Sequence, residues 1–313
     1  MSNFLGFDTS NYTTSVAIFN SESREVMHRK KLLPVKCGSL GLRQSDVVFS
    51  HVKAMPSIIT ELFATSQCDA KSIKAVGVSV RPCDRENSYM PCFSVGMLIA
   101  KSIAAVLGIK CYEFTHQAGH IMSALYSSGR MDLINKKFLA FHVSGGTTEA
   151  VIVSPSSENI FQVQCVSRSL DAKAGQIIDR VGSMLGLSFP AGREIDVLAR
   201  TECRVRKPTL KGENCCLSGL ENICRKMVDE CKSREEIASY CITYIMKTLE
   251  AMCDRVLGKY GDMPVVFSGG VMCNSLISTV FKRKYDAIFA TPELSSDNAV
   301  GISILCAYKS GWL

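Results

Sequence analysis

Residues 4–18 read FLGFDTSNYTTSVAI and residues 138–152 read FLAFHVSGGTTEAVI; at a constant offset of 134 they are identical at seven of fifteen positions. A repeat at this distance indicates duplicated lobes, since a solenoid would repeat roughly every 20–50 residues. In each copy an apolar strand runs into Ser, Thr, Asn or Gly and a second apolar strand follows, which predicts a hairpin with a small polar tip. Ser144, Gly145, Gly146 and Thr147 can expose several backbone N–H groups and hydroxyls together, because glycine opens positive φ and removes the Cβ that would block a ligand. Asp8, Thr9 and Ser10 occupy the matching tip of the first copy. Two related tips predict a shared grip on one phosphate chain.

The remaining sequence supports a packed α/β protein. Of 313 residues 47% are hydrophobic and 21% charged, which excludes a disordered chain. The N-terminus lacks the pattern of a signal peptide, and the apolar stretch 93–109 carries Lys101 at its middle, so a cytoplasmic protein with no membrane span is expected. Fifteen cysteines form no CxxC pair and are read as buried reduced thiols. The net charge of +7, with clusters at Arg29/Lys30/Lys31, Arg204/Arg206/Lys207 and Lys282/Arg283/Lys284, permits a polyanionic partner without requiring one.

A third glycine turn lies at Gly269, Gly270 and Asn274, where an apolar strand ends and a helix begins, a geometry that aims helix N–H groups at a nucleotide. Helical periodicity is expected over 51–66, 94–107, 174–187 and 234–257, alternating with strands over 75–80, 138–143, 150–153, 265–267 and 287–290. Two lobes are expected, 1–133 plus 296–313 and 134–295, packed around a common cleft. His116 and His120 sit at i and i+4 of a helix following a strand, so both rings can reach one cation. Asp297 supplies a hard third donor or a simple N-cap, and the histidines themselves are metal ligands or capping and core residues. Two His and a carboxylate with open positions suit iron or zinc equally.

These motifs stand in a fixed order: GFDTS at 6–10, HxxxH at 116–120, VSGGTT at 143–148, DxxxGxxxD at Asp171/Gly175/Asp179, LGLSFPAG to Gly192, LSGL at 217–220, SGGVxxN at 268–274 and SDN at 296–298. The set resembles the tRNA threonylcarbamoyladenosine synthase subunit family (TsaD, formerly the glycoprotease or O-sialoglycoprotein endopeptidase family) over essentially the whole chain. The resemblance implies the duplicated fold of actin, sugar kinases and the 70-kDa heat-shock chaperones, with a nucleotide cleft between lobes. It implies a divalent metal, iron or zinc, on His116, His120 and Asp297. It also implies ATP, AMP or an acyl-adenylate bound through Ser144, Gly145, Gly146, Thr147, Gly175, Asp179, Gly192, Gly269, Gly270 and Asn274. The implied partners are tRNA and the accessory proteins of threonylcarbamoylation, and the implied reaction is transfer of threonylcarbamoyl from its adenylate to an adenosine amine.

Several positions depart from the family pattern. An acidic pair of the first hairpin is Tyr12 and Thr13, the Glu within HxxxH is Ala118, the His of SGGHT is Thr147, and two further acidic positions are Ala172 and Gln176. A glycine-rich loop has become Arg81-Pro82-Cys83-Asp84-Arg85. The expectation is a more positive cleft in a divergent member. The alternatives are a paralogue acting on a small-molecule carbamoyl-type substrate and a non-catalytic nucleotide-binding partner.

Overall fold

A computed structural model describes residues 2–10, 12–34, 42–85, 87–295 and 299–313. In chain order the first strands and helices are β1 (Asn3–Thr9), β2 (Thr13–Asn20), β3 (Val26–Leu32), α1 (Gln44–Ser66), β4 (Ile73–Arg81), α2 (Phe93–Leu107), β5 (Lys110–Thr115) and α3 (His116–Ser127). There follow β6 (Phe138–Val143), β7 (Thr148–Ser156), β8 (Ile160–Arg168), α4 (Ala174–Met184), α5 (Gly192–Leu198), β9 (Thr209–Lys211), β10 (Asn214–Cys216), α6 (Ser218–Asp229) and α7 (Arg234–Tyr260). The chain closes with β11 (Val265–Ser268), α8 (Ser275–Tyr285), β12 (Ile288–Phe289), α9 (Pro292–Ser295) and α10 (Val300–Lys309). Two compact units result. One comprises Met1–Gly129, Ser156–Phe161 and Asp297–Leu313, the other Arg130–Pro155 and Gln162–Ser296.

Each unit is built on the same five-stranded plan. The first sheet runs β3-β2-β1-β4-β5 and the second β8-β7-β6-β11-β12. In both, the first two strands of the unit are antiparallel and the later strands join parallel to the first. The sequence offset of 134 holds at the level of register: Phe4 opposes Phe19 and Thr9 opposes Thr14 in one sheet, and Phe138 opposes Val153 and Val143 opposes Thr148 in the other. Strand β1 is buried at all seven positions, as expected of a central strand covered on both faces. The edge strand β3 carries the first basic cluster, whose exposed Lys30 and Lys31 discourage further pairing.

In the first unit α10 is buried from Val300 to Ala307, which fits a helix that is apolar on every side. Its start is held to α3 by a hydrogen bond from Gly301 N to Ser123 Oγ at 2.9 Å. Helix α1 meets the length and hydropathy of a membrane span, yet Val47, His51, Ala54, Met55, Ile58 and Leu62 form a buried stripe at helical spacing. It is a core helix. In the second unit α7 starts with a capping box, Glu236 N donating to Ser233 Oγ and Ser233 N to Glu236 Oε2. It buries Ile237, Cys241, Ile245, Leu249 and Met252 in the cluster that covers the sheet. The fourteen described cysteines are all free, so this core and not disulfide bonding stabilises the fold.

His51 is fully buried and braces the first hairpin: its Nδ1 meets Thr14 Oγ1 at 2.7 Å and its Nε2 meets the Ser10 carbonyl at 3.0 Å. A carbonyl only accepts, so Nε2 carries the proton and Nδ1 accepts from Thr14. Burial lowers the His51 pKa, against opposing influences from the Ser10 carbonyl and Asp8. His28 is lowered as well, by burial first and then by Lys30 and Arg29. Both native imidazoles therefore stay neutral at pH values where the unfolded chain is already protonated. Below about pH 6.5, the ordinary histidine value, the unfolded state takes up protons that the native state refuses, so stability falls with pH. Thermal melts from pH 7.5 to 5 should show this decline, and a His28→Asn/His51→Asn double variant should melt lower at pH 7.5 but along a flatter pH profile.

Candidate functional site

The His pair lies at the start of α3, in the first unit. Thr115 caps this helix by accepting from Ala118 N at 3.1 Å, which fixes the first turn and with it both rings. The Nε2 atoms of His116 and His120 converge to 3.0 Å. Behind them Asp8, fully buried, places Oδ1 at 2.8 Å from His116 Nδ1 and accepts from Ser79 Oγ at 2.5 Å. Asp8 Oδ2 is buried without a partner. A carboxylate on Nδ1 fixes the tautomer of His116 with its Nε2 lone pair outward, as behind metal-bound histidines. Among the described residues no group of three His, Cys, Asp or Glu side chains has the geometry to hold a metal, and Asp297 lies outside the described residues. Two converging imidazoles backed by a carboxylate fit a divalent metal as far as the described donors go.

The first hairpin turns its side chains inward. Thr9 is fully buried, its hydroxyl donating to the Cys92 carbonyl and accepting from Gly96 N at the start of α2. Ser10 is also buried, with its carbonyl on His51. The predicted tip thus anchors α1, α2 and α3 through Ser10, Thr9 and Asp8 in turn.

In the second unit the glycine turns are held by short contacts. Ser144 N donates to Thr147 O at 2.7 Å and Thr147 N to Ser144 Oγ at 3.2 Å. Ala174 N donates to Thr148 Oγ1, and Gly175 N to the Ser144 carbonyl, so the first turn of α4 is pressed onto the 144–147 turn. A Cβ on Gly175 would lie 2.6 Å from Gly145 N. Gly145 and Gly146 are exposed with open space around them. A glycine turn facing a helix N-terminus can hold an anion. Gly269, at φ 97°, lets its strand end pass against the Val143 backbone where a side chain would be strained.

Asn274 is buried and caps α8 by accepting from Ile277 N at 3.1 Å, while its Nδ2 has no partner. Asp179 accepts from Ala191 N at 2.9 Å, fixing the start of α5 beside Gly192, and burial raises its pKa despite that bond. Asp196 on α5 accepts from Ser275 N and Oγ at 2.9 Å, tying α5 to α8.

The profile of the family described as tRNA N6-adenosine threonylcarbamoyltransferase (TsaD) matches residues 45–304. This chain belongs to the TsaD family. A TsaD relative from Streptococcus sanguinis (strain SK36), named tRNA N6-adenosine threonylcarbamoyltransferase, is 28% identical over 283 residues, 86% of this chain and 80% of the relative. A relative of the same name from Streptococcus gordonii matches to the same extent. Among solved structures, the (R)-2-hydroxyglutaryl-CoA dehydratase component A of Acidaminococcus fermentans aligns at TM-score 0.57 and 12% identity, covering 99% of this chain and 100% of that one. The ROK hexokinase of Thermus thermophilus aligns at TM-score 0.53 and 11% identity, covering 99% of both. At such identities the likeness is one of fold, and the fold is the actin and sugar kinase type.

Two of the departures from the TsaD pattern acquire a local explanation. Gln176 Oε1 accepts from Lys173 N at 3.1 Å at the start of α4, a capping contact that a neutral amide makes as well as a carboxylate. Arg81, expected to add positive charge, is matched by Asp84 at 2.9 Å within the same loop. The loop also keeps Cys83 buried with Sγ 3.3 Å from Ser88 Oγ. Its thiol pKa is lowered, since the hydrogen bonds from Ser88 and Arg85 outweigh desolvation.

Sequence reasoning missed a row of polar residues in the second sheet. His142 on β6 faces Glu149 on β7 and Ser268 on β11, with Nδ1 3.1 Å from Ser268 Oγ. The 134-residue offset carries Asp8 onto His142, and the Asp8–Ser79 contact of the first unit corresponds to His142–Ser268 in the second. Extending the repeat from identical residues to equivalent positions would have found it.

Proposed function

We propose that this chain transfers a threonylcarbamoyl group from its adenylate to the exocyclic amine of the adenosine next to the anticodon in tRNA, as a cytoplasmic enzyme working with accessory proteins. The observation that carries the reading is the convergence of His116 and His120 on one point with Asp8 behind them, in a chain of the TsaD family. His116, His120 and Asp297 would hold divalent iron or zinc. When bound, the metal supplies Lewis acidity toward the carbamoyl oxygen.

The chain's own residues do the rest. Asp8 keeps His116 in the tautomer whose Nε2 can ligate. The N–H groups of the exposed Gly145 and Gly146 in the 144–147 turn take the adenylate phosphate, and Gly269, Gly270 and Asn274 take the adenosine, with Asn274 Nδ2 donating to an acceptor on it. The tRNA amine forms a bond to the carbamoyl carbon while the bond from that carbon to the phosphate oxygen breaks. AMP leaves and the amine proton passes to solvent. No serine or cysteine nucleophile takes part. Peptidase chemistry is unsupported, because Gln117 stands where an HExxH enzyme carries its general base.

Purified protein incubated with bacterial-type accessory proteins, ATP, threonine, bicarbonate and a tRNA transcript should yield threonylcarbamoyladenosine in a nucleoside digest. Absence of the product, with the partners shown active on another TsaD, contradicts the proposal.

A further inference from the structure

We propose that a groove in the second unit, between the 202–208 segment and α7, docks the sugar–phosphate backbone of RNA. The proposal rests on the tRNA reading above and adds a place to it. The groove has a volume of about 460 Å³ and is lined by Arg204, Arg206 and Lys207 on the segment, by Lys247, Glu250 and Asp254 on α7, and by Lys284 at the end of α8. The Arg204/Arg206/Lys207 cluster and Lys284, 80 residues after Arg204 in sequence, therefore line one surface.

The charges are sorted by position. Lys247 is 2.7 Å from Glu202 and 3.0 Å from Glu250, and Lys284 is 2.8 Å from Asp254. The two wall lysines are thus satisfied by the carboxylates around them. Arg204, Arg206 and Lys207 are exposed, and among the described residues none has an ion-pair partner. A small anion sinking into the groove would face Glu250 and Asp254. A polyanion passing along the lip meets the three unpaired cations, while Glu202 at the start of the segment is neutralised by Lys247.

The lip is also held in place. Cys203 N donates to Thr243 Oγ1 and Arg206 N to Tyr240 Oη, both on α7, so the segment is pinned without helix or sheet pairing of its own. Burial alternates along it, with Cys203 and Val205 turned partly inward and Arg204 and Arg206 outward. Residues two apart in an extended chain project to one side about 6.6 Å apart, the scale of successive phosphates on a strand. Arginine and lysine at that spacing give backbone contacts that bind without reading sequence.

The test is fluorescence anisotropy of a labelled, unmodified tRNA transcript titrated with the full chain, across a series of salt concentrations and without adenylate. The Arg204→Ala/Arg206→Ala/Lys207→Ala variant should bind at least tenfold more weakly at 0.1 M salt. Its log–log salt slope should be shallower by about 2 to 3, near one per phosphate contact removed. Lys31→Ala/Lys71→Ala/Lys74→Ala, an equal loss of exposed charge in the first unit, should leave the slope nearly unchanged. An unaltered slope in the first variant overturns the proposal. So does displacement of the RNA by stoichiometric inorganic phosphate, which would mark a small-anion site, or equal binding of poly-glutamate with the same loss in the variant, which would mark an acidic protein partner. Docking without formation of modified nucleoside refutes the transferase reading and leaves the groove; product formation with an unaltered slope does the reverse.

Discussion

Replacing either histidine of α3 by alanine is expected to lower threonylcarbamoyl transfer by about three orders of magnitude while the chain stays folded. The size follows from the several kcal/mol that Lewis-acid stabilisation contributes and from about 1.4 kcal/mol per factor of ten in rate. The two Nε2 atoms converge to 3.0 Å, so losing one leaves too few donors for a metal. The direct readout is metal content after dialysis, measured beside turnover and thermal stability. His120→Ala is the cleaner variant. His116→Ala also strips a partner from the buried Asp8 carboxylate, which should cost a further 1–3 kcal/mol or so of stability. Asp8→Asn keeps the shape of the site but weakens its hold on His116 Nδ1, and should reduce metal affinity about 10- to 100-fold. Wild-type-like function of the complex with a His116→Ala/His120→Ala variant would point instead to a protein that binds nucleotide and serves as a scaffold.

Gly175→Val is expected to abolish high-affinity adenylate binding and to lower stability by about 1–3 kcal/mol. The added Cβ would lie 2.6 Å from Gly145 N and 2.7 Å from the Ser144 carbonyl carbon. Both are backbone atoms of the turn, so α4 and the turn must separate. The contrast is Gly270→Ala, where a Cβ finds nothing within 4 Å. That variant should melt like the wild type, yet bind the adenylate at least tenfold more weakly if the 269–270 turn approaches the adenosine. Calorimetric titration with a non-hydrolysable adenylate separates the two effects. A Gly175→Val protein of unchanged affinity would remove the 144–147 turn from the binding site.

The fold was legible where the repeat carried it. An offset of 134 placed β1–β2 over β6–β7 and implied equivalent sheets, because hairpin register is fixed by the same alternation in both copies. The edge strand β3 was not legible, since Arg29, Lys30 and Lys31 read as a solvated charge cluster and an edge strand needs few apolar residues. The expected helix over 174–187 ends at Met184, where Gly186 adopts a left-handed conformation and Leu187 N bonds back to the Gly182 carbonyl. At the site, sequence spacing was enough to put His116 and His120 on one helix face. It could not give Asp8 its partners, because Ser79 and His116 are 71 and 108 residues away and only the β1–β4 pairing and the start of α3 bring them together. The groove behind Arg204 was hidden for the same reason. Its charges look alike in sequence, and only the ion pairs of Lys247 and Lys284 separate the satisfied cations from the available ones.

The central claim is that this TsaD member transfers threonylcarbamoyl to tRNA through its His pair despite the neutral residues at Tyr12, Thr13, Ala118, Ala172 and Gln176. Its most direct test is a single-turnover reaction of threonylcarbamoyl-adenylate with a tRNA transcript, run with metal-loaded and chelator-stripped protein and analysed by mass spectrometry of the nucleoside digest. Threonylcarbamoyladenosine formed by the loaded protein and lost on stripping is the predicted result. An adenylate that stays intact beside tRNA on metal-loaded protein, or a product that forms equally well without metal, would contradict the account.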